Sequence, residues 1–188
     1  MKSYYYKCIG QKAIKFESFT LEAVQPQHIQ NIRAWRNGQI EVLRQKETLS
    51  RIEQTQYFKN HVWSELDKDE PKQILFSFFL NDKLIGYGGL VHISWSNLSA
   101  EISYLCDTSL VNQDTKYREY LLSFLKIITS LSFKNLKLKR LFTETYSFRK
   151  YQIKILEEYG LIYESINYRS YNVNGRYYDS IIHSILND

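Results

Sequence analysis

Only two of the 188 residues are cysteine and only two are proline. Cys8 and Cys106 have no partner at metal-ligand spacing, so neither a disulfide framework nor a zinc site can be written from them. Pro26 and Pro71 both fall between periodic segments, where a residue without an N–H does least harm. No apolar run approaches the ~20 residues of a membrane-spanning helix. The longest, near Ile74–Leu80, is interrupted by Ser77. The opening MKSYYYKCIGQK lacks an apolar stretch and a small-residue cleavage site, so a cytoplasmic protein with reduced thiols is expected. Linkers rich in Gly and Ser, internal repeats and low-complexity tracts are also missing. Residues 1–188 therefore read as one domain, with a core over about 17–186 and a short extension of undecided role before it.

What is present is an ordinary soluble balance, 44% apolar and 24% charged, which supplies enough core for a fold without staples. The 16 tyrosines suit half-exposed strand positions. A net charge of +5 is mild and favours a phosphorylated ligand over a polyanionic partner. Its densest cluster, Lys134, Lys137, Lys139 and Arg140, carries no nucleic-acid motif and reads as solvated surface at a helix-to-strand junction.

Periodicity organises the chain. Alternation gives a first strand over about 17–24, and apolar positions after Pro26 give a helix stopped by Asn37–Gly38. Ser50 and Glu53 form a capping box that opens a second helix running to about Trp63. Segments 73–80, 84–94 and 100–105 read as an antiparallel meander. An amphipathic helix over 120–133, a strand over 138–146 and a helix over 149–159 stopped by Gly160 follow. The pair Asn174-Gly175 predicts a hairpin between strands 161–171 and 176–186. The expectation is a mixed α/β (α+β) domain, with about seven mostly antiparallel strands and about four helices.

That order resembles a GNAT-superfamily acetyltransferase, and local phrases strengthen the likeness. They are IRAWRNGQIEVLRQ at 32–45, ILFSFFLNDKLIGYGGL at 74–90, AEISYLCD at 100–107 and LEEYGL at 156–161. The WRN segment and the NGRYYDSIIHSIL ending most resemble members acting on nucleotide-linked amino sugars of surface-polysaccharide and flagellin pathways. The resemblance implies splayed fourth and fifth strands that hold the pantetheine arm of acetyl-CoA. Ser103, Tyr104 and Leu105 would lie along it, and a backbone N–H near Tyr104–Leu105 would polarise the thioester carbonyl. It also implies an acceptor that is a small-molecule amine. The lack of a nucleic-acid motif and of a long apolar run speaks against nucleic acid and a membrane span as partners, and a monomer or homodimer is expected.

Two departures from the family pattern are plain. The glycine-rich pyrophosphate loop Q/R-x-x-G-x-G/A is replaced by Gln113-Asp-Thr-Lys116-Tyr-Arg118, whose cations are expected to substitute for close-approaching backbone amides. The Tyr that protonates the leaving thiolate is replaced by Leu156, and the Asn at that helix start by Arg149, a further candidate for coenzyme A contact. Tyr151 is the candidate proton donor, with Tyr146 and Tyr159 as alternatives. Proton acceptance from the amine falls to Glu101, His92 or Glu144. Trp35, Arg36, Asn37, Arg44 and Trp95 are the candidate acceptor contacts, and no metal is expected. Other readings are a carrier-protein donor, a peptide amine as acceptor, and a non-catalytic binding protein on the same fold.

Overall fold

The computed structural model describes residues 4–173 and 175–187. Its strands are β1 (Ala13–Phe16), β2 (Phe19–Ala23), β3 (Ile74–Leu80), β4 (Lys83–Ser94), β5 (Ser99–Cys106), β6 (Arg140–Tyr146), β7 (Ile162–Val173) and β8 (Arg176–Leu186). They form one sheet in the order β1-β2-β3-β4-β5-β6-β8-β7. All neighbours are antiparallel except β5 and β6. The expected strands are all present. The eighth is β1, which draws the undecided N-terminal extension into the sheet by pairing Ala13–Phe16 with Phe19–Glu22.

The helices are α1 (Ile29–Gly38), α2 (Arg51–Tyr57), α3 (Asp114–Ser130) and α4 (Lys150–Tyr159). Ser50 accepts from the Glu53 amide while the Glu53 carboxylate accepts from the Ser50 amide, so the capping box forms as its spacing predicts. The expected run to Trp63 is broken in kind: α2 gives way to a π-turn at Phe58–Val62 and a 3-10 turn at Trp63–Glu65. α3 begins six residues earlier than periodicity suggested, because Tyr117 adds a buried contact to a turn whose other residues are polar and exposed. Gly160 ends α4 in a left-handed conformation (φ 109°) that other residues adopt only at a cost. Asn174, half of the expected hairpin turn, lies outside the described residues, and Gly175 beside it has φ 83°.

Alternation along the strands divides the core into two layers. Ile29, Ile32 and Trp35 of α1, with Phe58 and Val62, cover one face over Leu75, Tyr87 and Leu105. Leu121, Phe124, Leu125 and Ile128 of α3, with Ile155 and Leu156 of α4, cover the other over Phe78, Ala100 and Ile102. At Gly88 a Cβ would sit 2.2 Å from the Ser103 carbonyl oxygen and 3.0 Å from the Phe124 ring, so only glycine lets β4, β5 and α3 close up here. No described helix is long and apolar enough to cross a membrane.

Candidate active site

The sheet opens at one place. β5 pairs with β6 only through Ser99, Ala100 and Glu101 opposite Arg140, Leu141 and Phe142, and no further pairing joins Ile102–Cys106 to Thr143–Tyr146. A cleft of about 830 Å³ lies at this opening. Because side chains alternate, its lining differs on the two faces of the sheet. Glu101 and Glu144 meet Arg44, in the segment after α1, whereas Tyr104 packs beside Phe124 of α3.

On the α1/α2 side the carboxylates and most other polar groups are paired. Asn37 fixes the segment after α1 by donating to the Leu49 carbonyl (2.9 Å) and accepting from the Leu49 amide (2.8 Å) and from Gln45 Nε2 (3.0 Å). Arg36 Nε donates to Gln45 Oε1 (3.0 Å). That anchoring delivers Arg44 across the cleft, where its fork grips Glu101 through Nη1 (3.1 Å) and Nη2 (2.8 Å). The same guanidinium also reaches Glu144 Oε2 and, through Nε, the Tyr171 hydroxyl (2.9 Å). Burial opposes the Arg44 charge, but Glu101 and Tyr171 outweigh it and hold the proton more tightly than usual. Partial burial likewise opposes the Glu144 charge, yet Ser180, Arg44 and Asn167 keep its carboxyl below the usual range. His92 stands beside this cluster, its Nδ1 2.8 Å from Glu101 Oε2.

On the α3/α4 side, polar groups are left over. The Tyr104 hydroxyl and the Thr143 and Thr145 Oγ1 atoms are buried without a hydrogen-bond partner, and all three residues line the cleft. Native interiors rarely tolerate such groups, so three in one cleft point to a ligand that supplies partners. Arg149 and Gln152 complete this side by meeting the Tyr117 hydroxyl at 3.3 and 3.0 Å. Burial pushes the Tyr117 hydroxyl up to about 12 against the pull of Arg149. Arg149 forms no ion pair among the described residues and faces the opening near the first turn of α3, whose leading amides have no intrahelical acceptor. These leftover donors fit a phosphorylated ligand with an amide-bearing arm.

The candidates from sequence separate accordingly. Glu101, His92, Glu144, Ser103, Tyr104, Arg149, Arg36 and Arg44 all line the cleft. Leu105 is instead buried in the α1/α2 core. Tyr151 does not line the cleft, and its hydroxyl donates to the Asp114 carbonyl (2.9 Å). Tyr159 is held by Thr129 at 2.6 Å, which leaves Tyr146 as the tyrosine of that group in the cleft. Burial pushes its hydroxyl up to about 12. Trp35 of α1 is buried in the core, Asn37 is an anchor, and Trp95 packs on the core with its indole N–H on the Pro71 carbonyl (2.9 Å). Gln113 caps α3 by position only, its side chain donating to the Ser109 carbonyl (2.7 Å). Lys116 is exposed in the first turn of α3. Arg118 lies further into α3 and pairs with Glu158 of α4, so its guanidinium is already engaged. Tyr171, Thr143, Thr145 and Lys72 were not singled out by sequence, since no local pattern marks them.

The fold has close counterparts among solved structures. Spermidine N-acetyltransferase from Vibrio cholerae, in complex with CoA and spermine, superposes with a TM-score of 0.77 at 20% identity, covering 91% of this chain and 96% of that one. A dodecameric structure of the V. cholerae enzyme in an intermediate state gives 0.76 at 19% identity, covering 91% and 95%. RimL, a ribosomal L7/L12 alpha-N-protein acetyltransferase in complex with coenzyme A, gives 0.76 at 14% identity, covering 93% and 97%. At these identities the likeness speaks for the fold. No curated protein sequence is significantly similar. Residues 21–182 match the Acetyltransferase (GNAT) domain, and the chain belongs to that family of enzymes, whose acyl donor is acetyl-CoA.

Proposed function

We propose that this enzyme acetylates the primary amine of an anionic small molecule, best matched in chemistry by a nucleotide-linked amino sugar, in the cytoplasm. One observation carries the reading. On the α1/α2 side both carboxylates are gripped by Arg44, while Arg36 and Lys72 line the cleft with no ion-pair partner among the described residues. With Arg44 shared between two carboxylates, the cations Arg36, Arg44 and Lys72 exceed Glu101 and Glu144 by a single charge, a small positive excess that favours a phosphorylated partner over a polycation. The donor would thread the opening from the α3/α4 side. Tyr104, Thr143 and Thr145 would meet its amide-bearing arm, and Lys116, Arg149 and the first turn of α3 its phosphates.

A second reading has its own support. The spermidine acetyltransferase likeness recommends a polyamine acceptor, whose cationic amine would have to displace Arg44 from Glu101 and Glu144. Free-thiol release from acetyl-CoA separates the two. Faster turnover of a nucleotide-linked amino sugar than of spermidine supports the anionic acceptor, and the reverse order supports the polyamine. Thiol release with neither, but with an N-terminal peptide, would replace both.

A further inference from the structure

We infer that His92 is the general base of this acetyl transfer and that Glu101 and Arg44 are positioning residues acting through it. The inference rests on the acetyltransferase reading but not on the identity of the acceptor. Both carboxylates beside the opening are already taken. Glu101 Oε1 accepts from Arg44, and its Oε2 accepts from Arg44 and faces His92 Nδ1. Glu144 Oε1 accepts from Ser180 (2.6 Å) and Asn167 (3.4 Å), and its Oε2 from Arg44 and Tyr171 (3.5 Å). Glu144 thus has all four lone-pair sites occupied and Glu101 three of four, its remaining Oε1 site lying on a side chain only 9% exposed, so both are weakened as proton acceptors.

His92 differs in each respect. Its side chain is 64% exposed against 9% for Glu101, it lines the cleft, and its Nε2 has no hydrogen-bond partner among the described residues. A carboxylate gripped by an Arg fork offers only acceptor oxygens, so the 2.8 Å contact requires a proton on Nδ1, and in the neutral ring the lone pair is then on Nε2. The backbone is built for this. His92 has φ 49°, in the left-handed region, and lies where the β4–β5 register breaks between Val91 and Ser94. A regular strand would alternate past this point, and the bulge re-aims the imidazole towards Glu101 instead. Strain of that kind persists where the surroundings over-determine it, and functional sites are where it gathers. Glu101 from β5 touches the imidazole; Glu144 from β6, Arg36 from α1, Arg44 from the segment after it, Tyr57 from α2 and Lys72 from the segment before β3 line the same cleft, and Tyr171 from β7 joins the cluster through Arg44.

In the step itself, Nε2 takes one proton from the acceptor ammonium. The freed nitrogen lone pair forms the amide C–N bond to the acetyl carbon while the thioester C–S bond breaks. The second amine proton leaves with the coenzyme A sulfur as thiol, and the imidazolium returns its proton to solvent.

Two measurements on the full chain test the assignment. Long-range ¹H–¹⁵N NMR of the wild type is expected to show His92 as the Nδ1–H tautomer, and Glu101→Leu, which removes the acceptor, is expected to lose that preference. An Nε2–H tautomer, or one indifferent to Glu101→Leu, would overturn the inference whatever the turnover. Kinetically, His92→Gln is expected to lower kcat/KM by roughly 10²–10⁴-fold and to abolish the acid limb of the pH profile, with an unchanged circular dichroism spectrum. Partial rescue of His92→Ala by added imidazole is expected as well. A His92→Gln enzyme with wild-type kcat/KM and an intact acid limb would refute the role while leaving the acetyltransferase reading standing.

Discussion

The two halves of the cleft are built on opposite principles. On the α1/α2 side Arg44, Glu101, Glu144, Tyr171 and Ser180 satisfy one another before any ligand arrives. On the α3/α4 side Tyr104, Thr143 and Thr145 keep buried hydroxyls with nothing to bond. A satisfied network holds its geometry at the cost of free bonding capacity, whereas orphaned groups hold capacity at the cost of stability. The contrast suits an enzyme whose donor side must take up a long amide-bearing arm while its acceptor side keeps a proton-transfer group aligned.

Mutations on the two halves are therefore expected to behave differently. The largest effect on stability belongs to Arg44→Ala, which strands the buried Glu101 without its cation. Because Arg44 is itself part-exposed, the loss is screened to about 2 kcal/mol, or a fall in Tm of roughly 4–8 °C in thermal denaturation. The same variant is expected to narrow the preference for an anionic over a cationic acceptor, read as the ratio of the two kcat/KM values. An unchanged Tm and ratio would remove Arg44 from the account.

On the other side, Thr143→Val and Thr145→Val delete orphans rather than partners. Stability is expected to stay within about 0.5 kcal/mol of wild type, while the coenzyme A Kd rises about fivefold per hydroxyl. A destabilised protein with unchanged coenzyme A affinity would mean that these hydroxyls serve the fold. The smallest and most discriminating pair lies on α3. Lys116→Ala is expected to weaken coenzyme A binding and to flatten its salt dependence. Arg118→Ala, which removes only the exposed pair with Glu158, is expected to leave the Kd within about twofold.

Much of the frame was legible in sequence because it depends on local rules. Strand alternation marked β2, spacing marked the Ser50–Glu53 box, and Gly160 marked the end of α4. Legibility failed where tertiary contact overrode local pattern. β1 is four residues long and gains its identity from pairing with β2, and the first turn of α3 is polar except for Tyr117. The site was legible as a parts list and not as a circuit. Glu101, His92, Glu144 and Arg44 were all named from sequence. Their convergence was hidden because Arg44 lies 57 residues from Glu101 and 100 from Glu144. Aromatic character misled at Trp35 and Trp95, since a tryptophan that fills core and one that stacks on a ligand look the same in sequence.

The most direct test of the two-sided cleft is calorimetric titration of the purified chain with acetyl-CoA and desulfo-coenzyme A, repeated on Thr143→Val/Thr145→Val and on Arg44→Ala. Micromolar binding is expected for the wild type, with clear weakening in the threonine double variant and near wild-type affinity in Arg44→Ala. Binding that Arg44→Ala abolishes and the threonine variant leaves untouched, or no binding by the wild type, would contradict the two-sided cleft.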